Sequence, residues 1–348
     1  MKDSGRATLR GVADLAGVSP ATASRALACS TTVHPDKIRR VLDAARALNY
    51  MPGGPARALA SGRTHTIGVV IPTLDHAIFA RAVQAMQTAL ARQGYQLLIA
   101  THEYSPAQEA SAVRAMLERS VDGLTVVGAD HLPETWALLS AARIPVVLSW
   151  SFDDRFDSIG FDNARAGALA AEHLLALGHR RFGMVTGFTQ SNDRARLRVA
   201  GVRAALAGMG LDLPGSRVSE QPFTLAGGRA GLAQLLGLAD APTAIVCGND
   251  LLAVGVLFEA AQRQVPIPRD LSVIGIDNLE IGSHVAPSLT TIHLPTSELG
   301  REIADHLLCR IRGLPRSNRI ELPIELVARH STAKAPGLAL PMIASSIE

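Results

Sequence analysis

From residue 67 onward, short continuous apolar runs alternate with longer stretches that have helical periodicity. Apolar runs of this length predict strands buried on both faces of a sheet, and the helical stretches between them predict right-handed βαβ crossovers. Because the pattern extends too far for one sheet, we predict an α/β body of two similar subdomains with a central cleft. The predicted strands are IGVVIP (67–72), YQLLIAT (95–101), DGLTVVG (122–128), PVVLSW (145–150), RFGMVTG (181–187), TAIVCG (243–248) and LSVIGID (271–277).

Ahead of this body, residues 12–27 (VADLAGVSPATASRAL) predict two short helices joined by a tight turn. The first helix has one apolar face, made of Val12, Leu15 and Ala16. Gly17 can end it in a left-handed conformation, while Ser19 and Pro20 suit the cap and first position of the next helix. Two helices joined in this way form a helix-turn-helix, although a hairpin used only for packing has the same pattern.

A third helix and the distribution of charge favour a DNA-binding role for this segment. The third helix begins at His34 and Pro35, and its inward stripe is Ile38, Val41, Leu42, Ala45 and Leu48. Residues 1–65 contain ten Lys and Arg against four Asp, a net charge of +6, whereas the rest of the chain carries −3. A basic head on an acidic body indicates a polyanionic partner, with a chance imbalance as the alternative.

Composition and motifs argue against several other classes. The 348 residues contain no uncharged apolar run long enough for a membrane span, and the N-terminus lacks the apolar region of a signal peptide. Cys29, Cys247 and Cys309 have no CxxC spacing, so we expect a reducing cytoplasm, no metal site and no cofactor. The common enzyme motifs are absent, which predicts a protein without catalytic residues. His173 and His179 flank a helix end, where solvated or capping histidines are ordinary.

The order of these features resembles the LacI family of bacterial transcription regulators over residues 8–331. The motifs are TLRGVADLAGVSPATASRAL, LNYMP, ARALASGRTHTIGVVIP, FDNARAG, GNDLLAVG and SVIGIDN…PSLTTI. The segment IPTLDHAIFARAVQAM, with HEYSPAQEA, is similar to the gluconate-repressor branch of that family.

The resemblance implies an N-terminal three-helix helix-turn-helix DNA-binding domain, a hinge helix, and a periplasmic-binding-protein-like body of two Rossmann-like subdomains. The implied limits are 1–52 for the head, 53–65 for the hinge segment, 66–332 for the effector-binding and dimerisation body, and 333–348 for a flexible tail. Within the body, the N-subdomain takes about 66–162 plus 293–322, and the C-subdomain takes about 163–292 plus 323–332.

By this resemblance, the second helix lies in the major groove of DNA. Arg25 can form a bidentate bond to guanine or grip a phosphate, Ala21 can only contact a thymine methyl, and Pro20 offers no donor. Candidate phosphate ligands, with helix caps and surface hydroxyls as the alternative, are Thr8, Ser19, Thr22, Ser24 and Asn49. In the hinge segment, Leu59 would wedge between base pairs in the minor groove, while Arg57 and Arg63 hold the backbone.

The implied effector site lies in the cleft, at the carboxyl ends of the strands. The candidate effector-binding residues are His76, Phe79, Trp150, Arg198, Asn249 and Asp277. Asp277 and Asn249 can pair with hydroxyls, and Arg198 can bind a carboxylate or a hydroxyl. Each has a structural alternative: Asp277 or Asn249 could cap a helix, and Arg198 could be one of several surface cations, with Arg196 as its substitute in the site.

The resulting hypothesis is a cytoplasmic, nucleoid-associated transcription regulator, a repressor in carbohydrate metabolism, that binds a near-palindromic operator as a homodimer. Its DNA binding would be controlled by a sugar acid such as gluconate, or by a related sugar, in the cleft. Two alternatives stay open. The effector could be a purine or another non-sugar corepressor, or the chain could be a solute-binding receptor without a DNA function.

Overall fold

The computed structural model describes residues 7–27, 33–51 and 62–337 of the chain. All seven predicted strands are present within about a residue of the expected positions. Five further strands were not predicted because they are only three or four residues long, too short for an apolar run. They comprise β5 (Asp157–Gly160), β7 (Val218–Glu220), β10 (Thr290–His293), β11 (Arg319–Glu321) and β12 (Glu325–Val327).

The head contains three helices around a small core. They are α1 (Leu9–Ala16), α2 (Pro20–Leu27) and α3 (Pro35–Ala47). Gly17 ends α1 in the predicted left-handed conformation, with φ of 61°. The core is made mainly of alanine and valine: Val12, Ala13, Ala16, Ala23, Ala26, Val33, Val41, Ala44 and Ala45. Two predicted core residues are wrong, since Leu15 is 57% exposed on the outer side of α1 and Leu48 is 38% exposed just after α3.

The N-lobe is built on an all-parallel sheet of six strands in the order β11-β5-β4-β3-β1-β2. Its remaining strands are β1 (Thr66–Ile71), β2 (Gln96–Thr101), β3 (Gly123–Val127) and β4 (Val146–Trp150). Its helices are α4 (Ala77–Ala91), α5 (Pro106–Glu118), α6 (Pro133–Ala141) and α12 (Thr296–Ile311).

The C-lobe is built on a second six-stranded sheet in the order β12-β10-β9-β8-β6-β7, in which only β12 is antiparallel. Its remaining strands are β6 (Phe182–Thr186), β8 (Ala244–Cys247) and β9 (Ser272–Asp277). Its helices are α7 (Asn163–Ala176), α8 (Asp193–Ala207), α9 (Leu225–Leu236), α10 (Asp250–Gln262) and α11 (Glu280–His284).

The chain passes between the two lobes at three places, namely after β5, after β10 and between β11 and β12. Three crossings make a hinge about which two lobes can rotate. Both sheets place the carboxyl ends of their parallel strands at the cleft, which is where ligands bind in open α/β sheets.

The segment after β12 is anchored more firmly than the sequence suggests. His179 is fully buried and its ring contacts Thr243 Oγ1 and Ser272 Oγ at 3.0 Å and the Ala333 carbonyl at 3.1 Å. The Ala335 amide donates to the Leu177 carbonyl at 2.8 Å. The prediction of a solvated or capping His179 is therefore wrong, and residues 333–335 do not belong to a flexible tail.

Candidate DNA-binding head and effector cleft

One face of α2 is free of the head core. Pro20, Ala21 and Arg25 are exposed there, and Thr22 and Ser24 are half-buried beside them. The Arg25 Nε donates to the Ala21 carbonyl of its own helix at 3.2 Å, so the guanidinium lies along the exposed surface. The helix thus presents a single cation among small side chains, a shape that fits a groove of duplex DNA.

Two of the four hydroxyl residues predicted as phosphate ligands, Thr8 and Ser19, serve as helix caps in this structure. Thr8 Oγ1 accepts from the Gly11 amide at 3.2 Å, and Ser19 Oγ accepts from the Thr22 amide at 3.1 Å. Both residues are exposed, as is Asn49, which has a φ of 47° just after α3. Their contacts with phosphates therefore stay a prediction.

The hinge prediction lies mostly outside the described residues, since both Arg57 and Leu59 fall in the range 52–61. At its end, an Arg63 Nη2 donates to the Ile311 carbonyl at 2.9 Å, which ties the start of the body to the end of α12.

All six predicted effector residues line one narrow cavity between the lobes, which we call the inner cavity. Its twelve lining residues are His76, Ile78, Phe79, Tyr104, Trp150, Asn192, Arg194, Ala195, Arg198, Phe223, Asn249 and Asp277. Its volume is about 20 Å³, room for about one water molecule. The two lobes are therefore closed on each other, and a ligand of sugar size needs them to move apart.

Arg198 and Asp277 form the buried polar centre of the inner cavity. The Arg198 Nη1 donates to the Gly248 carbonyl at 2.6 Å and lies 3.9 Å from Asp277 Oδ1, while its Nε donates to Asn163 Oδ1 at 3.1 Å. Gly167 allows α7 to pack closely against α8 at Arg198, since a Cβ at residue 167 would lie 2.1 Å from the Arg198 carbonyl oxygen. The alternative of a surface cation is wrong for Arg198, which is only 5% exposed.

Polar atoms in this cavity lack partners. Trp150 Nε1 and Asp277 Oδ1 are buried and make no hydrogen bond in the described structure. Burial raises the pKa of Asp277 to about 8, against the opposing effect of Arg198. Both residues end a strand with unusual positive φ angles, 66° for Trp150 and 124° for Asp277. Strained backbone and unpaired buried polar groups are typical of ligand sites.

The alternative role as a helix cap holds for Asn249 but not for Asp277. Asn249 caps α10, because its Oδ1 accepts from the Leu252 amide at 2.9 Å, although the residue also lines the cavity. Asp277 is not a cap, since α11 begins at Glu280 after Leu279.

Three aromatic rings separate the inner cavity from an outer chamber of about 350 Å³. The rings are those of His76, Tyr104 and Phe223, with centroids 5.6 to 6.1 Å apart. Tyr104 and Phe223 were not predicted as site residues. Tyr104 comes soon after β2, so its position at a strand end was a usable signal, whereas no local pattern marks Phe223.

A second set of contacts joins the lobes beside the cavity, between residues 128–131 of the N-lobe and the start of α8. Asp193 Oδ2 accepts from the Ala129 amide at 3.0 Å, and Arg196 forms a bidentate pair with Asp130 at 2.7 and 2.8 Å. Arg196 is therefore an interlobe contact rather than a substitute for Arg198, because the half-turn between them directs the two side chains to different faces.

The described residues hold no helix that could span a membrane and no cluster of three or more His, Cys, Asp or Glu side chains suited to a metal ion.

A helix-turn-helix head joined to a two-lobed body with a polar cleft defines a DNA-binding regulator that responds to a small molecule. Residues 8–53 match the model for "Bacterial regulatory proteins, lacI family", and residues 171–332 match that for "Periplasmic binding protein-like domain". The chain belongs to the LacI family of bacterial regulatory proteins, as its motifs predicted.

Full-length relatives support this assignment. The chain is 36% identical to the HTH-type transcriptional regulator GntR of Pseudomonas aeruginosa, over 95% of this chain and 97% of that protein. It is 33% identical to the HTH-type transcriptional repressor PurR of Haemophilus influenzae, over 93% and 98%. A crystal structure of the lac repressor dimer bound to operator and the anti-inducer ONPF matches with a TM-score of 0.85 and 29% identity, over 94% and 100%. These relatives are transcription regulators and not enzymes, which confirms that prediction.

Proposed function

We propose that this regulator is a repressor of carbohydrate metabolism whose operator binding is controlled by a sugar acid such as gluconate, or by a related sugar, in the inner cavity. The main observation is the polar centre of the cavity, where Trp150 Nε1 and Asp277 Oδ1 make no hydrogen bond beside the Arg198 guanidinium. A hydroxylated ligand offers both donors and acceptors to such groups, and an arginine fork suits a carboxylate.

The proposed mechanism couples the cleft to the hinge segment. A ligand that binds one lobe arrangement better than another shifts their populations, and in a homodimer the lobe rotation changes the spacing of the two hinge segments. Two heads at a set spacing then bind a near-palindromic operator in the cytoplasm, where the nucleoid lies. The similarity to a lac repressor dimer on its operator supports this arrangement.

A purine corepressor is the second candidate, because the PurR relative is nearly as similar to this chain as the GntR relative. The ring of Phe223, beside His76 and Tyr104, is a surface on which a planar base can stack. Thermal-shift measurements with gluconate, glucitol, ribose and purine bases separate the two candidates. We expect stabilisation by gluconate, and stabilisation by purine bases alone would reject the sugar-acid proposal.

We expect Arg25→Ala to weaken operator binding by about 10- to 100-fold, the value of one bidentate base contact. The measurement is a titration of labelled operator, repeated with operators that carry single base-pair changes. Loss of discrimination at one base pair supports a base contact. A uniform loss across all operators would instead assign Arg25 to a phosphate.

The hinge proposal predicts that Leu59→Ala weakens operator binding about tenfold or more, because the wedge that holds the kinked base step is lost. Effector binding by the body should not change. Met209→Ala is the control, since Met209 is 56% exposed on the C-lobe, just beyond the end of α8. Equal operator affinity of the Leu59 variant and wild type would contradict the hinge role.

A further inference from the structure

We propose that Arg194 makes the cleft select an effector that carries a carboxylate over a neutral polyol of the same length. The inference rests on the proposed function, and it concerns a residue that the sequence did not single out as a site residue. It identifies which group on the protein distinguishes an acid from the corresponding alcohol.

Arg194 and Arg198 lie one turn apart on α8, so both side chains are on the same face of the helix. Both line the inner cavity, and both are almost buried, at 8% and 5% exposed. The cavity wall on this side therefore contains two charged guanidinium groups. A neutral sugar would need only uncharged hydrogen-bond donors here, so the second charge points to an anionic ligand.

The carboxyl groups near this pair of arginines either lie outside the cavity lining or are largely protonated at neutral pH. Asp193 Oδ1 accepts from Arg194 Nη1 at 2.7 Å, but its Oδ2 accepts from the Ala129 amide, and the residue does not line the cavity. Asp277 lines the cavity, yet burial raises its pKa to about 8, so the protonated form is preferred at neutral pH. Asp250 also acts on Arg198, but it lies outside the cavity lining, so the lining itself holds two guanidinium groups and one carboxyl group that is preferentially protonated.

The Arg194 guanidinium also keeps unused hydrogen-bond capacity. It makes one hydrogen bond, to Asp193, within the described part of the chain, and a guanidinium has five N–H donors. The remaining donors are available for the two oxygens of a carboxylate, in the planar fork geometry that such a group prefers.

The backbone of the N-lobe lies very close to the Arg194 guanidinium. Gly128 has a φ of 94°, and a Cβ at this position would lie 2.3 Å from Arg194 Nη1. A side chain at Gly128 would exclude the guanidinium from its place. Arg194 thus contacts the N-lobe when the lobes are closed, and because the closed cavity has room for about one water molecule, a gluconate carboxylate reaches this guanidinium only when the lobes move apart.

The test compares gluconate with glucitol, its neutral counterpart of equal chain length, by calorimetric titration of the full-length protein. Wild type should bind gluconate at least tenfold more tightly than glucitol. In Arg194→Gln, gluconate affinity should fall by about 10- to 100-fold, the value of hydrogen bonds to a charged group, while glucitol affinity stays the same. Arg165→Gln is the matched control, since Arg165 pairs with Glu172 at the surface and does not line the cavity.

Operator binding without ligand and the melting temperature establish that each variant is folded. Should Arg194→Gln fail to fold, Arg194→Lys replaces it, because lysine keeps the charge but loses the fork, and a reduced preference for gluconate is then expected. An unchanged gluconate preference in either folded variant overturns the role of Arg194 but leaves the effector class intact. A wild type that binds glucitol as well as gluconate, or that responds only to purine bases, overturns both.

Discussion

Asp277→Asn is expected to remove the response to effector while operator binding without ligand stays at the wild-type level. The substitution keeps the shape of the side chain but replaces an oxygen acceptor facing Arg198 by an amide donor. Removing one partner of a buried hydrogen bond to the ligand typically costs about 1–3 kcal/mol, roughly a 10- to 100-fold loss of affinity. The measurements are the gluconate titration and the operator titration with and without gluconate.

The matched control is Glu259→Gln, another mostly buried carboxylate of the C-lobe. Glu259 does not line the inner cavity; its carboxylate accepts from Arg263 Nε at 2.7 Å and from Arg229 Nε at 2.9 Å. Its loss should lower the melting temperature without changing effector affinity in the folded protein. If both variants lost operator binding, the Asp277 result would reflect misfolding, and unchanged effector affinity in Asp277→Asn would contradict its role.

The pH dependence of stability provides an independent check on Asp277. An unfolded Asp loses its proton near pH 4, whereas folded Asp277 keeps it until about pH 8. The folded state therefore binds more protons between these values, and its contribution to the free energy of unfolding falls as pH rises through this window. In Asp277→Asn the fall in melting temperature between pH 5 and pH 8 should be smaller than in wild type.

Removal of the head is expected to abolish specific operator binding and to leave effector binding unchanged. A shortened chain beginning at Thr66 retains both sheets and their hydrophobic cores, which are separate from the small core of the head. Specific sites are typically bound on the order of 10³-fold or more tightly than random DNA, so the expected loss is of that size.

The same pair of chains tests the receptor alternative. Equal gluconate affinity in the full-length and shortened chains would show that the site lies wholly within the body, as the inner cavity requires. If the full-length chain showed no preference for any operator over random DNA, the basic head would have no DNA-binding role.

Several features could be predicted because they depend on local patterns. The seven main strands have apolar runs that need no knowledge of distant residues, and Gly17 marks the end of α1 by its own conformational freedom. The candidate site residues Trp150 and Asp277 could be named because parallel strands end at a common edge, and His76 because it lies beside Phe79 at the start of the next helix. Their meeting in one cavity follows from that rule, while their binding role stays a prediction.

Other features depended on which residues meet across the two lobes. Arg194, Arg196 and Arg198 are alternate residues in one basic run, yet two line the cavity and one pairs with Asp130. The helical turn directs them to different faces, but only the position of the N-lobe decides what each face meets. The predictions of a buried Leu15 and of a solvated or capping His179 were wrong for the same reason, since the exposure of both side chains depends on packing against distant residues.

The amino-acid sequence by itself determined the order of head, hinge and body, the family, and the strand ends at which a ligand site would form, because periodicity and caps act over a few residues. Only the tertiary structure decided which arginines are buried, that Tyr104 and Phe223 close the cavity, and that Asp277 Oδ1 makes no hydrogen bond. Those outcomes arise from contacts between residues far apart in the chain, and their energies depend on burial that no local pattern records.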